Sequence, residues 1–379
     1  MSTTLYFFAI VCSILSNFPP ILALGLDTPL KLMWGLPFFY IFIVNDTTKL
    51  WNKKLIPFYS LIIGFSIYCI SCEAVTGKQY LGVDFNNILI SSLIAITSFA
   101  YWDSSFSEKR LEYLSWLLLL LGLLMGVYVY FEYLINSNIM DRVYAVKDKN
   151  SIGQIIFCCA LIPLLTLKNY NQKTKYFIYA AVLILAAIVV MTKSRATILE
   201  IGFVLSYFMF FNGSLKIRFV YSIVVVIVAL CIIFNDNLYD IVINGILLAG
   251  RDVDNLNDVS SNRVVLIANC LKGISENFWF GNGNEYMDCM PIIMLYQYGI
   301  LGAMIVFSFL IYIGYYISRG TDRSPANLIT FLLFWCFMMN SLFEAQPPFG
   351  PGIKCFLLWV FIGLTLARPI LNKNEREYL

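Results

Sequence analysis

"FIYAAVLILAAIVVMTKSRATILEIGFVLSYFMFF", residues 177–211, is two apolar runs joined by a short turn that holds Lys193, Ser194 and Arg195. Each run is continuous rather than alternating, and each comes near the roughly 20 residues that a helix needs to cross a hydrocarbon layer. In that layer every backbone polar group must be satisfied within its own segment, so the runs read as helices. A transmembrane barrel, whose strands alternate, is disfavoured. The stretch is therefore a helical hairpin with a lysine and an arginine at the lip of a membrane.

The rest of the chain agrees. Of its 379 residues 60% are hydrophobic and 13% charged, where a soluble chain carries roughly a quarter charged residues. Mean hydropathy is +0.76. The expected fold is all-α: a polytopic membrane bundle forming a single transmembrane domain over residues 1–379. A net charge of +3 does not point to nucleic acid. There is no histidine, which excludes a histidine base, metal ligand or triad member. Ten cysteines are present, most inside apolar runs, where they read as small core residues. Cys69 and Cys72 form a C-x-x-C within one turn of a membrane helix, a poor setting for redox chemistry. Cys270 and Cys289 fall in an external loop, where a disulfide is an open option. The N-terminal "MSTTLYFFAIVCSIL" lacks a basic leader and reads as a first membrane helix.

Apolar segments centre on 3–24, 29–44, 55–72, 86–102, 113–134, 152–167, 177–192, 197–212, 219–234, 291–318, 327–344 and 353–367, about 12 spans in all. With both termini cytoplasmic, the inner turns collect Lys49, Lys53, Lys54, Lys109, Arg110, Lys168, Lys173, Lys175, Lys216, Arg218, Arg319, Arg323, Arg368, Lys373 and Arg376. These are 15 of the 26 basic residues, as the positive-inside rule requires. The remaining 11 lie against that rule. Most cluster in three outer connections: Arg142, Lys147 and Lys149; Lys193 and Arg195; Arg251, Arg263 and Lys272. One cation at a helix end reads as snorkelling to a lipid headgroup. Three such clusters, each with an arginine, point to a shared anionic ligand.

Residues 235–290 are the long hydrophilic stretch, with eight acidic and three basic side chains. "YDIVINGILL" reads as a short interfacial helix. "SSNRVVLIANCLKGISEN" reads as an amphipathic helix capped by Ser260 or Ser261, with Arg263 near its start. "RDVDNLND" lacks the glycine and closing glutamate of a calcium loop, and no metal site is expected. Glu132 and Glu200 lie within apolar runs, where carboxylates are functional by default. Glu200 is placed to pair with a cation near the outer face; proton coupling is the other reading.

The ordered pieces "RVYAVKDKNSIGQ" (142–154), "TKSRATILE" (192–200), "NRVVLIANCLKGISENFWFGNGNEY" (262–286) and "MLYQYGILG" (294–302) resemble the O-antigen polymerase and O-antigen ligase family. Arg142 and Gly153 carry the R-x10-G spacing of the polymerases; a second copy is missing, since Arg263 and Gly273 are one residue too close. The ligases place a histidine about eleven residues before the G-[LI]-L-G, where this chain has Asp288. The resemblance therefore leans to the polymerases.

The resemblance implies a reaction on the periplasmic face of the bacterial inner membrane. A sugar hydroxyl of one undecaprenyl-diphosphate-linked oligosaccharide attacks the anomeric carbon of another, and undecaprenyl diphosphate leaves. No cofactor is implied. Membrane lipid is the surround, and a partner protein regulating chain length is a family expectation. Arginine suits a departing diphosphate, being always charged and planar. Arg142, Arg195 and Arg263 are assigned as the clamp, with Arg251 and Lys193 in support and Asn150 and Glu200 as further substrate contacts. Losing one such charge is worth roughly 2.5–4 kcal/mol in the barrier. Asp288 is the first candidate base and Glu285 the second, the plain alternative for Asp288 being a helix cap. The main rival function is a flippase or proton-coupled transporter, though no internal repeat is evident; an O-antigen ligase or a membrane scaffold completes the alternatives.

Overall fold

The computed structural model describes residues 3–44, 47–135, 149–167, 170–212, 215–248, 251, 260, 263–285, 287–319, 324–350 and 355–368. Among them every regular element is helical, as the composition requires.

The first two expected spans are cut into short pieces: α1 (Thr3–Leu15), α2 (Pro19–Ala23), α3 (Asp27–Leu32) and α4 (Gly35–Ile43). Pro19 and Pro20 open α2, where a missing N–H costs nothing, and cannot continue α1. Next come α5 (Ile56–Thr76), α6 (Val83–Ser105) and α7 (Glu108–Val129), the last running into a π-helical turn, Tyr130–Leu134. Then follow α8 (Lys149–Leu165), α9 (Gln172–Met191), α10 (Arg195–Tyr207) and α11 (Leu215–Phe234). The turn α12 (Asp236–Tyr239) continues as a π-helical stretch, Asp240–Leu247. The chain closes with α13 (Arg263–Glu276), α14 (Met290–Arg319), α15 (Pro325–Asn340) and α16 (Phe356–Ala367).

Five stretches are long and apolar enough to cross a membrane: Lys53–Thr76, Val83–Ser105, Glu108–Leu134, Gln172–Met191 and Met290–Arg319. Arg218–Phe234 and Asp236–Leu247 meet at 103° and make a sixth if they are one broken span. Against about 12 expected segments the difference is one of length: α1, α8, α15 and α16 are apolar but short, the second segment is cut into α3 and α4, and the eighth, α10, has 13 residues. The right-angled bend at Asn235 agrees with the interfacial helix read in "YDIVINGILL", and α13 with the amphipathic helix read after Ser260.

The chain forms two compact units: Met1–Leu117, Leu165–Asn169 and Leu266–Leu379; and Leu118–Leu164 with Tyr170–Val265. In the first, α6 and α16 pack along their lengths, and α16 is buried from Phe356 to Leu366. Its core is aromatic, with Tyr6 stacked on Tyr101 at 4.0 Å and Trp359 between Phe309 and Phe349. The polar tips find partners. Trp102 Nε1 donates to the Tyr6 hydroxyl (3.0 Å), which pairs with Ser98 Oγ (2.8 Å), as buried tyrosine and tryptophan require. In the second unit, α9 buries Ile178, Ala181, Leu185, Ile188 and Val189. Its opposite face exposes Leu183 and Ile184, and α11 exposes Val224, Val228 and Phe234. Apolar side chains facing outward along whole helices are the surface of a protein that sits in lipid.

Candidate functional site

The turn quoted at the outset lies in the second unit and is built on a strained residue. α9 ends at Met191, Thr192 is its C-cap, and Lys193 follows with φ +56°. That left-handed cap normally falls to glycine, and a lysine there costs about 1–2 kcal/mol. Its amide donates to the Val190 carbonyl (3.0 Å), closing the helix, and its side chain is only 6% exposed. Ser194 then opens α10 as N-cap without capping it. Its hydroxyl donates instead to Asn150 Oδ1 (3.1 Å), which leaves the Thr197 hydroxyl as donor to Ser194 Oγ (2.8 Å). Arg195 is the first residue of α10, half-buried.

Those bonds tie the N-terminus of α10 to that of α8. Lys149, the first residue of α8, reaches the Lys193 carbonyl with Nζ at 3.4 Å. Gly153 explains the close approach: a methyl group there would lie 3.2 Å from Thr197 Oγ1 and 3.3 Å from Ser194 Cβ. One turn deeper, Gln154 Nε2 donates to Glu200 Oε1 at 3.2 Å, both side chains being fully buried. Two helix N-termini and three cations, Lys149, Lys193 and Arg195, thus share one end of this unit. Helix N-termini and cations both favour an anion.

The structure brings together Lys193, Arg195 and Asn150 of the expected residues, and places Glu200 beneath them. Glu200 accepts from the Gln154 amide at this depth. Arg251 follows the π-helical stretch, its amide donating to Leu248 (3.3 Å), and Arg263 opens α13. Arg142 lies outside the described residues. Lys149 was counted among the outer cations without a role, and Gln154 was not singled out. A polar residue inside the apolar run after Asn150 was the signal for the latter.

The expected carboxylates lie in the first unit, around a break in α14. Gly299 sits inside that helix with φ +61° and ψ −174°. In a straight helix the amides of residues 300, 301 and 302 would donate to the carbonyls of 296, 297 and 298. Here the loop 277–284 takes over. Asn282 and Gly283 amides donate to the Tyr296 (2.7 Å) and Gln297 (3.0 Å) carbonyls, and the Tyr68 hydroxyl donates to the Tyr298 carbonyl (2.5 Å). In return the Ile300 and Leu301 amides donate to the Phe278 (2.9 Å) and Trp279 (3.4 Å) carbonyls. Two glycines permit this backbone-on-backbone contact: a methyl on Gly281 (φ +82°) would overlap the Gln297 carbonyl, and one on Gly299 the Trp279 carbonyl.

A second layer pins the same loop. The Tyr80 hydroxyl donates to the Gly281 carbonyl (3.2 Å), and the Asn284 amide to the Gln79 carbonyl (2.7 Å). Glu285 emerges exposed from this knot. Its charge, after burial, helps push the Cys270 thiol up from its ordinary range. Asp288 is half-buried, two residues before α14. The Met290 N–H, first in α14, donates to the Ser341 (2.9 Å) and Glu344 (3.1 Å) carbonyls. The knot also holds a carboxylate that sequence reading passed over. Asp84, 9% exposed in the first turn of α6, accepts from Gln297 Nε2 at 2.9 Å. Nothing in the spacing of "GVDFNN" marks it, since its partner is 213 positions away.

Cys69, Cys72, Cys270 and Cys289 are all buried free thiols, so the disulfide option is not taken. A cavity of about 140 Å³ among Phe106, Glu108, Glu112, Thr166 and Arg368 is lined by none of these candidates.

This architecture is that of a polytopic membrane protein with a cationic turn in one unit and a carboxylate-bearing loop in the other. Residues 180–300 match the family model described as O-Antigen ligase, which supports membership of the O-antigen polymerase/O-antigen ligase family, a family of glycan-joining enzymes in O-antigen and related pathways. The matched span contains Lys193, Arg195, Glu200, Arg251, Arg263, Glu285, Asp288 and Gln297. No curated protein matches the chain.

Proposed function

We propose that the chain is a polymerase of lipid-linked oligosaccharide repeat units for a bacterial surface polysaccharide. A hydroxyl of the acceptor unit attacks the anomeric carbon of the donor glycan. The new glycosidic bond forms as the bond to the diphosphate oxygen breaks, and undecaprenyl diphosphate leaves with the electron pair. The hydroxyl proton passes to a carboxylate, Asp288 or Glu285. Charge that grows on the leaving oxygen is met by Arg195, Lys193 and Lys149 at the paired helix N-termini, with Arg142, Arg251 and Arg263 as further phosphate ligands. Fixed donors of this kind lower the barrier because they need no reorganisation as the charge develops.

The observation that carries this reading is Lys193. A buried lysine held in a backbone conformation that favours glycine is the kind of strained residue that gathers at functional sites. The chain also has no histidine, the residue that the ligases place where Asp288 stands, and this favours polymerase over ligase.

Purified protein in detergent, supplied with lipid-linked repeat units, tests the proposal. A ladder of lipid-linked oligomers is expected. Transfer to a lipid A core alone would make it a ligase. Translocation in sealed vesicles with no new bond would make it a flippase or transporter.

A further inference from the structure

Gln297 is fully buried, and its side-chain nitrogen is shared. One N–H donates to Asp84 Oδ2 (2.9 Å) and the other to the main-chain carbonyl of Glu285 (2.5 Å). Both hydrogens of the amide are thereby used. Its Oε1 accepts no hydrogen bond among the described residues, so its hold is exerted through nitrogen alone. Asp84 fixes the rotamer of Gln297 from the start of α6, and Gln297 fixes residue 285 from the last turn before the break at Gly299.

Such an arrangement is expensive for a core. A carboxylate and an amide buried together in a membrane bundle contribute less than apolar packing would. The loop 277–284 is already held by its own main-chain bonds to α14 and to residue 79. Residue 285 lies just beyond that loop, and its carbonyl is the one that the Gln297 amide holds. The amide bridge acts on the segment that carries both candidate bases.

We infer that Asp84 and Gln297 are positioning residues: through the Gln297 amide, α6 holds the backbone at Glu285 and so sets where the Glu285 and Asp288 carboxylates meet the acceptor hydroxyl. The inference rests on the polymerase reading for its catalytic consequence, and on geometry alone for the clamp. Misplacing a catalytic group by about 1 Å costs on the order of 10²-fold.

An exchange of the two groups tests it. In Asp84→Asn/Gln297→Glu the amide and carboxylate trade places. The hydrogen bond between the two positions is rebuilt, but the introduced carboxylate has no N–H for the Glu285 carbonyl. The account expects an unfolding temperature a few degrees below that of the parent, because the Glu285 carbonyl loses its donor, kcat lower by about 10²-fold and KM for the acceptor changed by less than about threefold. Exchange of amide hydrogens over residues 281–289 of the full-length protein should quicken at least about tenfold, with that of α5 unchanged. Recovery of both stability and kcat in the exchanged variant would overturn the proposal and leave the pair a structural bond only. Should that variant not fold, Gln297→Leu read by hydrogen exchange decides the clamp: unchanged exchange over 281–289 overturns it. If the parent protein makes no polymer, the polymerase reading fails while the exchange measurement still judges the clamp.

Discussion

Lys193 carries two opposed demands. Its backbone favours glycine, and its side chain serves the cationic turn. Lys193→Gly should therefore leave stability unchanged or raise it by up to about 1 kcal/mol, while polymer formation falls sharply; thermal unfolding and the oligomer ladder read the two separately. Arg195→Ala should lower kcat by about 10²–10³ and leave single-unit glycan on the cell surface, with long chains lost. The two candidate bases separate by substitution: Asp288→Asn that abolishes turnover with Glu285→Gln active assigns the base to Asp288, and the reverse assigns it to Glu285. Cys270 reports on Glu285 without any assay of activity. Burial first, and the nearby Glu285 charge second, raise its thiol pKa, so the thiolate is scarce near neutral pH and alkylation is slow. Because the folded thiol ionises later than the unfolded one, stability falls as pH rises past the unfolded value of about 8.5. Glu285→Gln should lower the Cys270 pKa and speed its alkylation at pH 8.

At the scale of elements, the break in α14 is the feature on which the carboxylate loop depends. Gly299→Ala places a side chain at φ +61° and against the Trp279 carbonyl. The backbone conformation alone is worth about 1–3 kcal/mol, and the clash adds to it. The expected result is a lower unfolding temperature together with faster proteolysis of the loop 277–285. Much of this level was legible. The paired apolar runs of 177–211 gave α9 and α10, and Ser260 or Ser261 followed by an apolar period gave α13. The N-terminal apolar segments break into shorter helices, and Pro19-Pro20 marks one such boundary. The break in α14 was not drawn at all. Gly299 was recognised as part of "GILG", but a glycine inside an apolar run does not say whether a loop will arrive to take the freed carbonyls. That depends on Asn282 and Gly283, and on Tyr68 in another helix.

For the molecule as a whole, hydropathy and the long apolar helices define the class. The side chains that face outward along α9 and α11 are apolar, as lipid requires. The candidate site was legible where cations lie in connections read as outer, which the positive-inside rule disfavours; that reading singled out Lys193 and Arg195. It was not legible where a polar residue agrees with nothing local. Asp84, Gln154 and Gln297 each acquire meaning only from a partner on another helix. The most direct measurement of the central claim is polymerisation by the purified parent protein and by Arg195→Ala, with lipid-linked repeat units as the sole substrate. The account predicts a ladder from the parent and, from the variant, single units with turnover down by about 10²–10³. Equal ladders from both would show that the cationic turn does not hold the departing diphosphate, and would contradict it.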